Sequence, residues 1–124
     1  MENLTIEASK YTPSVNFSQD NHVLSIEGKS TPENTFEFFE PIMSWLKEYF
    51  STNQTAKIEF NIPYFNSSSS RVIYDFFDLL EKAQIDGSSL TVYWKYAAEN
   101  ENALESGEEF QEDFESLGIQ LLEL

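Results

Sequence analysis

Alternating apolar and polar positions predict a β-hairpin near the N-terminus. Residues 4–9 alternate in this way, a break follows at 12–13, and a second brief extended piece covers 15–17. The polar run 19–21 is typical of a turn, and residues 23–28 then form a further extended segment. We therefore expect the chain to open with short strands that pair as a hairpin.

The next segment changes period and predicts a helix of about four turns. Its apolar residues recur at spacings of three and four and are interpreted as a buried stripe: Phe36, Phe39, Met43, Leu46 and Phe50. Ser30 and Thr31 are candidate N-caps. Pro32 suits the first helical turn, and Glu33 suits the positive end of the helix dipole. The polar run 51–54 ends this helix.

Strand and helix patterns then alternate to the end of the chain. We predict a strand over 57–62 and then a helix, whose apolar stripe covers 72–83 and which ends at 86–87. A strand over 90–96 follows, then helical spacing of apolar residues over 110–117 and a short closing segment over 119–122. This order is typical of an α/β domain, in which strand-helix-strand connections are right-handed crossovers between parallel strands. We predict a single domain over 1–124, with a mixed sheet of four or five strands and helices mainly on one face.

The charge balance excludes several classes of partner. The 124 residues include 22 Asp and Glu against 7 Lys and Arg, a formal net charge of −15. Because affinity for nucleic acids and anionic membranes derives from basic side chains that replace counterions, we expect neither as a partner. The first residues lack the features of a signal peptide, and no apolar run reaches the length of a membrane span. We therefore expect a cytoplasmic protein.

The composition offers no constellation for catalysis or for a cofactor. The chain has no cysteine, which excludes disulfides, thiolate nucleophiles and cysteine zinc sites. Its single histidine, His22, lies in a polar turn where we expect it to be solvated. The acidic run 99–115 lacks the ligand spacing of a calcium loop, and we interpret it as a solvated face that can also meet a basic partner. We predict no enzyme activity, no metal and no cofactor.

Four consecutive serines, 67–70, lie between a predicted strand and a predicted helix. In one interpretation they or Asn66 cap the helix, which is worth about 1 kcal/mol. In the other, one serine is a phosphoacceptor, because the free amides and the dipole of a helix N-terminus favour a phosphate. Arg71, the only arginine of the chain, lies four residues beyond Ser67 and is placed to reach such a phosphate.

Several short motifs occur in a specific order along nearly the whole chain. They are Thr12-Pro13, Gly28-x-Ser30-x-Pro32-Glu33-Asn34, Tyr64-Phe65-Asn66-Ser67-Ser68-Ser69, Asp75-x-Phe77-Asp78-Leu79-Leu80-Glu81, Trp94-x-Tyr96 and Glu105-x-Gly107-Glu108-Glu109-Phe110. In this combination the chain resembles the SiaC-like regulatory phosphoproteins, small bacterial domains whose fold is similar to that of STAS domains and anti-sigma-factor antagonists.

The resemblance implies a phosphorylation switch. A Ser/Thr protein kinase modifies the residue after the Asn at the start of the second long helix, and a metal-dependent Ser/Thr phosphatase reverses the modification. The unmodified form binds and activates a diguanylate cyclase, which promotes biofilm formation through cyclic di-GMP. By this resemblance Ser67 is the expected acceptor and Ser68 the next candidate, with Asn66, Ser69 and Arg71 around them.

Two alternatives to this switch stay open. The chain is a constitutive acidic interaction or scaffold domain whose serines only cap a helix, or it is an anti-sigma-factor antagonist with a different partner. Modification of a serine by a kinase distinguishes a switched module from a constitutive one.

Overall fold

The computed structural model describes residues 1–52 and 54–124, so Asn53, within the predicted helix end at 51–54, lies outside the described residues. Its strands are β1 (Leu4–Ile6), β2 (Ser14–Ser18), β3 (Val23–Glu27), β4 (Thr55–Asn61), β5 (Ser89–Tyr96) and β6 (Gln120–Glu123). Its helices are α1 (Thr35–Tyr49), α2 (Ser67–Ile85) and α3 (Glu101–Asp113), and a 3₁₀ turn at Glu115–Leu117 precedes β6. The predicted α/β order is confirmed.

The predicted count of four or five strands is wrong, because the described chain forms a six-stranded sheet. The difference lies at the C-terminal edge. β1 falls within the extended segment predicted over 4–9 and pairs with β2, as the predicted hairpin requires. β6 has 4 residues and falls within the closing segment 119–122, which carries too few alternating positions to be recognised as a strand. It becomes a strand because β5 supplies its hydrogen-bond partners.

Strand order in the sheet follows the sequence, β1-β2-β3-β4-β5-β6. The pairs β1–β2 and β2–β3 are antiparallel, as the predicted hairpin requires, and β3 to β6 are parallel. Each parallel step passes through one helix and moves the chain in the same direction across the sheet. Because such crossovers share one hand, α1, α2 and α3 cover the same face, as predicted.

Burial along the strands follows this one-sided layering. In β4, Ile58 and Phe60 point under the helices and are buried. Their neighbours Lys57 and Glu59 lie on the open face, where the Glu59 carboxylate is 3.7 Å from the Lys57 ammonium and 3.3 Å from that of Lys95. The sheet therefore has one apolar face and one polar face.

Aromatic rings from the strands and helices form the centre of the core. The ring of Phe60 lies 5.0 Å from that of Phe77, and the ring of Trp94 lies 5.0 Å from that of Phe110. Helix α3 approaches β5 closely at Gly107, where an added Cβ would be 2.5 Å from the Trp94 ring. Glycine at this position therefore allows α3 to pack on the sheet.

Helix α1 buries a stripe that is shifted from the predicted one. Its buried residues are Phe39, Ile42, Leu46 and Tyr49. The prediction is confirmed for Phe39 and Leu46, but it is wrong for Phe36, which is 74% exposed. Met43 and Phe50 are only partly buried. The helix has two apolar flanks and only one can face the sheet, so Phe36 and Met43 face a groove beside α2.

The predicted start of α1 is also wrong by about one turn. Asn34 is the N-cap, and its side chain accepts a hydrogen bond from the Glu37 amide at 3.0 Å. Ser30 and Thr31 precede the helix, and Pro32 is buried in the loop before it. Ser30 does not cap the helix because its backbone pairs with the turn before α2.

The prediction of a solvated His22 is wrong as well. His22 has a positive φ of 58° and is half-buried. Its Nδ1 lies 2.6 Å from the Tyr49 hydroxyl, which in turn donates to the Thr55 carbonyl at 3.0 Å. The histidine therefore links the β2–β3 turn to the end of α1.

The acidic segment at the C-terminal end forms the outer face of α3 and the turn after it. Phe110, Phe114 and Leu117 are buried, as their spacing predicts, and the carboxylates between 101 and 115 are exposed. Among the described residues, no three His, Asp or Glu side chains are grouped to hold a metal ion. Within 1–52 and 54–124, no helix is both long and apolar enough to cross a membrane.

Phe39 and Phe36 provide a matched test of this packing. Phe39→Ala is expected to lower the free energy of unfolding by about 3–5 kcal/mol, because its ring is buried among core side chains. Phe36→Ala is expected to change it by less than about 0.5 kcal/mol, because that ring is largely exposed. Urea unfolding followed by circular dichroism measures both values. A loss below about 1 kcal/mol for Phe39→Ala would contradict the assigned core.

Tyr74 predicts how stability changes at alkaline pH. Its hydroxyl donates to the Asp113 carboxylate at 2.7 Å, and this hydrogen bond, then burial and the nearby charges of Asp113 and Glu109, raise the pKa of Tyr74 from 10.0 to about 12. As pH rises, the unfolded chain therefore loses the Tyr74 proton before the folded protein does. The contribution of the protonated Tyr74 to the free energy of unfolding is complete below pH 10 and is lost as pH rises through about 12. Tyr74→Phe should lower stability by about 1 kcal/mol at neutral pH.

The pH dependence separates this effect from general alkaline unfolding. Between pH 10 and 12, wild-type stability should fall more steeply than that of Tyr74→Phe. Tyr11→Phe is the control, because its side chain is exposed and its hydroxyl makes no hydrogen bond to any described residue. Equal slopes for wild type and Tyr74→Phe would rule out this linkage.

Candidate functional site

Two loops meet at the edge of the sheet where the parallel strands end. Ser30, in the loop between β3 and α1, pairs with Phe65, in the turn between β4 and α2. The Ser30 amide donates to the Tyr64 carbonyl at 2.9 Å, and the Asn66 amide donates to the Ser30 carbonyl at 3.1 Å. This pairing extends the contact of β3 with β4 beyond both strands and brings the starts of α1 and α2 together.

The turn before α2 is anchored on both sides of the helix start. Asn66 is the N-cap, and its side-chain oxygen accepts from the Ser69 amide at 2.9 Å. The ring of Phe65, just before it, packs at 6.2 Å from Trp94 and 6.3 Å from Phe110. Of the two candidate capping groups, Asn66 and the serines, the structure selects Asn66, so the serines are not required as caps.

The first three serines of the run have different surroundings. Ser69 is fully buried, and its hydroxyl is 2.9 Å from that of Ser30. Ser68 is exposed, but its hydroxyl lies 2.8 Å from the Thr35 hydroxyl and 3.2 Å from the Asn66 side-chain oxygen. Ser67 is exposed, and its hydroxyl makes no hydrogen bond to any residue that the structure describes. Only Ser67 combines an exposed side chain with a hydroxyl outside this network.

A second helix start contributes to the site. Thr35 is the first residue of α1, as Ser67 is of α2, and the Thr35 hydroxyl contacts the site through Ser68. Thr35 is not among the site residues predicted from the sequence. A signal for it does exist, since α1 and α2 both begin with an Asn cap followed by a residue with a hydroxyl group, Asn34-Thr35 and Asn66-Ser67. The pairing of the two starts depends on the contact between the loops, which no local pattern reports.

The electrostatics of the site combine helix dipoles with the guanidinium of Arg71 and the carboxylates of Glu33 and Asp75, which line the same surface. Asn66 engages the amides of Ser69 and Ser70, which leaves the amides of Ser67 and Ser68 without partners in the described chain. Arg71, one turn along, is exposed and forms no ion pair with a described residue. Such amides and a guanidinium favour an anion at this position.

The structure brings four of the predicted site residues into one surface region. A shallow depression is lined by Glu33 and Asn34 from the loop before α1 and by Ser68 and Arg71 from α2. Asn66 and Ser67, the cap and the first residue of α2, precede Ser68 in the chain and do not line the depression. Pro32 and Ser69 are buried and support the loops. The exposed aromatic side chain of Phe36 also lines the depression.

Known proteins with this fold were compared with the chain. SiaC of Pseudomonas aeruginosa superimposes with a TM-score of 0.91 and 28% identity, over 100% of both chains. A chain in the crystal structure of the diguanylate cyclase SiaD in complex with its activator SiaC, from the same species, matches with a TM-score of 0.92 and 30% identity over 98% of this chain and 99% of that chain. These matches confirm the predicted fold class.

Sequence comparison identifies the family. The Pseudomonas aeruginosa protein PA14_02130, of strain UCBPP-PA14, is 32% identical over 114 residues, which are 91% of this chain and 90% of that protein. Residues 6–124 match the family described as SiaC family regulatory phosphoprotein. The chain therefore belongs to the SiaC family of regulatory phosphoproteins.

Proposed function

We propose that this protein is a non-enzymatic regulator that binds and activates a diguanylate cyclase, and that phosphorylation of Ser67 prevents this binding. The cyclase is proposed as the partner because SiaC of Pseudomonas aeruginosa forms a complex with SiaD as its activator. The observation that carries the switch is the exposed, unengaged hydroxyl of Ser67 at the start of α2, in a chain of a regulatory phosphoprotein family.

The surroundings of the serines favour Ser67 as the acceptor. A kinase must reach the hydroxyl and align it with the γ-phosphate of ATP, which the buried Ser69 does not allow without local unfolding. Ser68 can be reached, but its hydroxyl must first leave its contact with Thr35. Modification of Ser67 requires neither step.

The modification and its reversal are the work of two partner enzymes. A Ser/Thr protein kinase transfers the γ-phosphoryl group of ATP to the Ser67 oxygen, ADP leaves, and the hydroxyl proton passes to a base of the kinase. A metal-dependent Ser/Thr phosphatase hydrolyses the phosphoester with water, which restores the hydroxyl and releases inorganic phosphate. This chain supplies only the acceptor and its positioning.

Within the protein, a phosphate on Ser67 meets favourable groups. It adds about −1.5 to −2 charges at the positive end of α2, next to amides that lack helical partners. Arg71 lies one turn further along, where its side chain can approach the phosphate. The fold therefore tolerates the modification without rearrangement.

Across an interface the same phosphate has the opposite effect. The exposed side chains around the turn include two aromatic rings, with Tyr64 58% and Phe36 74% exposed. A partner that covers these rings with apolar atoms would also have to remove water from a doubly charged group and offer it no compensating contact. Phosphorylation thus opposes docking while it leaves the fold intact.

We expect the kinase-treated protein to carry one phosphate on Ser67 and to lose cyclase binding, while its unfolding transition stays unchanged or moves slightly upward. Ser67→Ala should bind the cyclase at wild-type affinity and resist the kinase. Ser67→Asp should weaken binding only in part, because it carries one charge and a shorter side chain. Mass spectrometry of the treated protein, paired with a binding assay on a purified diguanylate cyclase, measures these outcomes.

Ser68→Ala is the matched control, since it removes the adjacent exposed hydroxyl and should leave phosphorylation at Ser67 in place. Phosphate found at another residue would refute the assignment to Ser67. Unchanged cyclase affinity of protein phosphorylated on Ser67 would refute the switch. If no Ser/Thr protein kinase phosphorylates the wild-type protein and it still binds the cyclase, the protein is a constitutive scaffold instead.

The net charge of −15 predicts how association responds to salt. Partners that bind a surface this acidic carry basic patches, and long-range attraction then accelerates encounter. The association rate constant should fall as NaCl rises from 20 to about 300 mM, because the Debye length shortens over this range. Stopped-flow mixing measures it, and a constant rate would exclude electrostatic steering.

A further inference from the structure

Strand β6 forms one edge of the sheet and leaves part of its backbone unpaired. Among the described strands it pairs with β5 alone. The Leu124 amide donates to the Tyr96 carbonyl at 2.8 Å, so the backbone of Leu124, and by the two-residue period that of Leu122, points toward β5. The amides and carbonyls of Leu121 and Glu123 therefore point outward, and such a row of donors and acceptors can pair with a further strand.

The chain itself satisfies the first outward group of this edge but not the next ones. The carbonyl of Ile119, just before β6, points outward by the same period and accepts from the Gln111 side chain at 2.7 Å. The carbonyls of Leu121 and Glu123 receive no such hydrogen bond from a described side chain. The strand also contains no proline or lysine, the residues that most often protect an exposed edge.

Two leucines line this edge at the margin of the open face of the sheet. Leu122 faces the open side because Lys95, its partner in the register, does so. The Lys95 ammonium already lies 3.3 Å from the Glu59 carboxylate. Leu122 is 38% exposed and Leu124 is 66% exposed, so both present apolar surface beside the free backbone. An occupant of the edge is therefore matched on this side by apolar side chains.

Helix α3 places carboxylates on the other side of the edge. Asp113 hydrogen-bonds to α2, whereas Gln111 reaches the start of β6, so these residues mark opposite flanks of α3. Glu108 precedes Gln111 by three residues and shares its flank. Glu123 points to the helix side of the sheet, because Leu122 points to the open side. Both glutamates are exposed and form no ion pair with a described residue, so lysine or arginine complements them.

We propose that the outer edge of β6 receives an extended segment of a partner protein in which basic and apolar residues alternate. The segment adds a further strand to the sheet through the backbone of Leu121 and Glu123. Because successive side chains of a strand point to opposite faces, its basic residues lie beside Glu108 and Glu123. Its apolar residues then pack on Leu122 and Leu124. This interaction is separate from the proposed binding of a cyclase.

A second copy of this chain is a poorer occupant of the same edge. Antiparallel pairing of β6 with itself would place the two α3 helices on one face of a continuous sheet, with their acidic flanks together. Each copy carries a net charge of −15, and like charges that face each other across an interface oppose association. The charge of the edge therefore favours a basic segment of another protein.

The edge of β6 lies apart from Ser67. One flank of α3 contacts α2 through Asp113, and the other flank reaches β6 through Gln111, so α3 lies between α2 and the edge. A segment bound at β6 consequently leaves the start of α2 uncovered. The protein can hold this partner whether or not Ser67 is phosphorylated.

The first test titrates the full chain with an acetylated ten-residue peptide that alternates lysine and valine. Amide NMR shifts should cluster in 119–124 and along the flank that carries Leu104, Glu108 and Gln111. A peptide with five valines followed by five lysines should bind at least about fivefold more weakly, because it cannot present one chemistry to each face of a strand. Equal affinity for the two peptides, or shifts spread over the whole acidic surface, would overturn the proposal.

A proline variant tests the backbone pairing itself. Glu123→Pro removes the outward amide, which β5 does not use, and Leu122 before it already has the extended conformation that a following proline favours. It should weaken peptide binding at least about tenfold, whereas Glu123→Gln, which removes only the charge, should weaken it about threefold. Circular dichroism verifies that both variants are folded. Equal affinities of the two variants would refute pairing through the backbone.

A matched pair of charge variants tests the role of the carboxylates. Glu108→Gln combined with Glu123→Gln should lower peptide affinity by about fivefold. Glu105→Gln combined with Glu109→Gln removes as many charges, but Glu109 acts on Tyr74 of α2 and Glu105, four residues earlier, shares that side of α3. This control should change affinity by less than about twofold. Equal losses in the two double variants would show a general effect of charge and overturn the assigned edge.

Two further outcomes separate this proposal from its alternatives. Ser67→Asp should bind the peptide at wild-type affinity, and a loss of binding would contradict an edge that is independent of the switch. This result does not depend on whether the protein binds a cyclase. Sedimentation of the protein alone should show a monomer. Self-association that Glu123→Pro abolishes would identify a second copy as the occupant and overturn the basic segment.

Discussion

The short pairing of Ser30 with Phe65 determines where the candidate site of this protein lies. Two backbone hydrogen bonds join the loops after β3 and β4, and the buried contact between the hydroxyls of Ser30 and Ser69 supports them from below. These contacts hold α1 and α2 with their N-termini side by side. Without them each helix start would be an ordinary cap, and the hydroxyls of Thr35 and Ser68 would not meet.

The one-sided layering of the sheet extends this constraint to the whole domain. Because β3 to β6 are parallel and adjacent in chain order, every helix begins at the same edge of the sheet. Each begins with an asparagine cap, and the third cap, Asn100, also donates to the Pro63 carbonyl at 3.0 Å. The three described helices thus all start at the edge of the sheet that carries the proposed acceptor. The face of the sheet without helices stays polar.

The different surroundings of the neighbouring serines make the proposed switch compatible with a stable fold. Asn66 caps α2, and Ser69 fills a buried polar contact, so the fold depends on these residues and not on the hydroxyl of Ser67. A charge added at Ser67 therefore removes no interaction that the core needs, as the proposed function requires.

Local pattern alone determined much of this protein. Alternating apolar and polar residues identified β1 to β5, and the 3.6-residue period identified α1 and α2. The order of the motifs identified the family before any contact was known. Phe39 and Leu46 could be placed in the core because helical spacing is a local property of the chain.

Tertiary structure alone decided the rest, because these features depend on contacts between distant segments. Periodicity cannot distinguish the flank of α1 that meets the sheet from the flank that carries Phe36, since both are apolar. Ser30 has the chemistry of a cap, but its pairing with Phe65, thirty-five residues away, moves the cap to Asn34. Ser67, Ser68 and Ser69 likewise differ only after folding. Ser69 is buried against Ser30 and Ser68 contacts Thr35, whereas the hydroxyl of Ser67 is exposed and unengaged among the described residues.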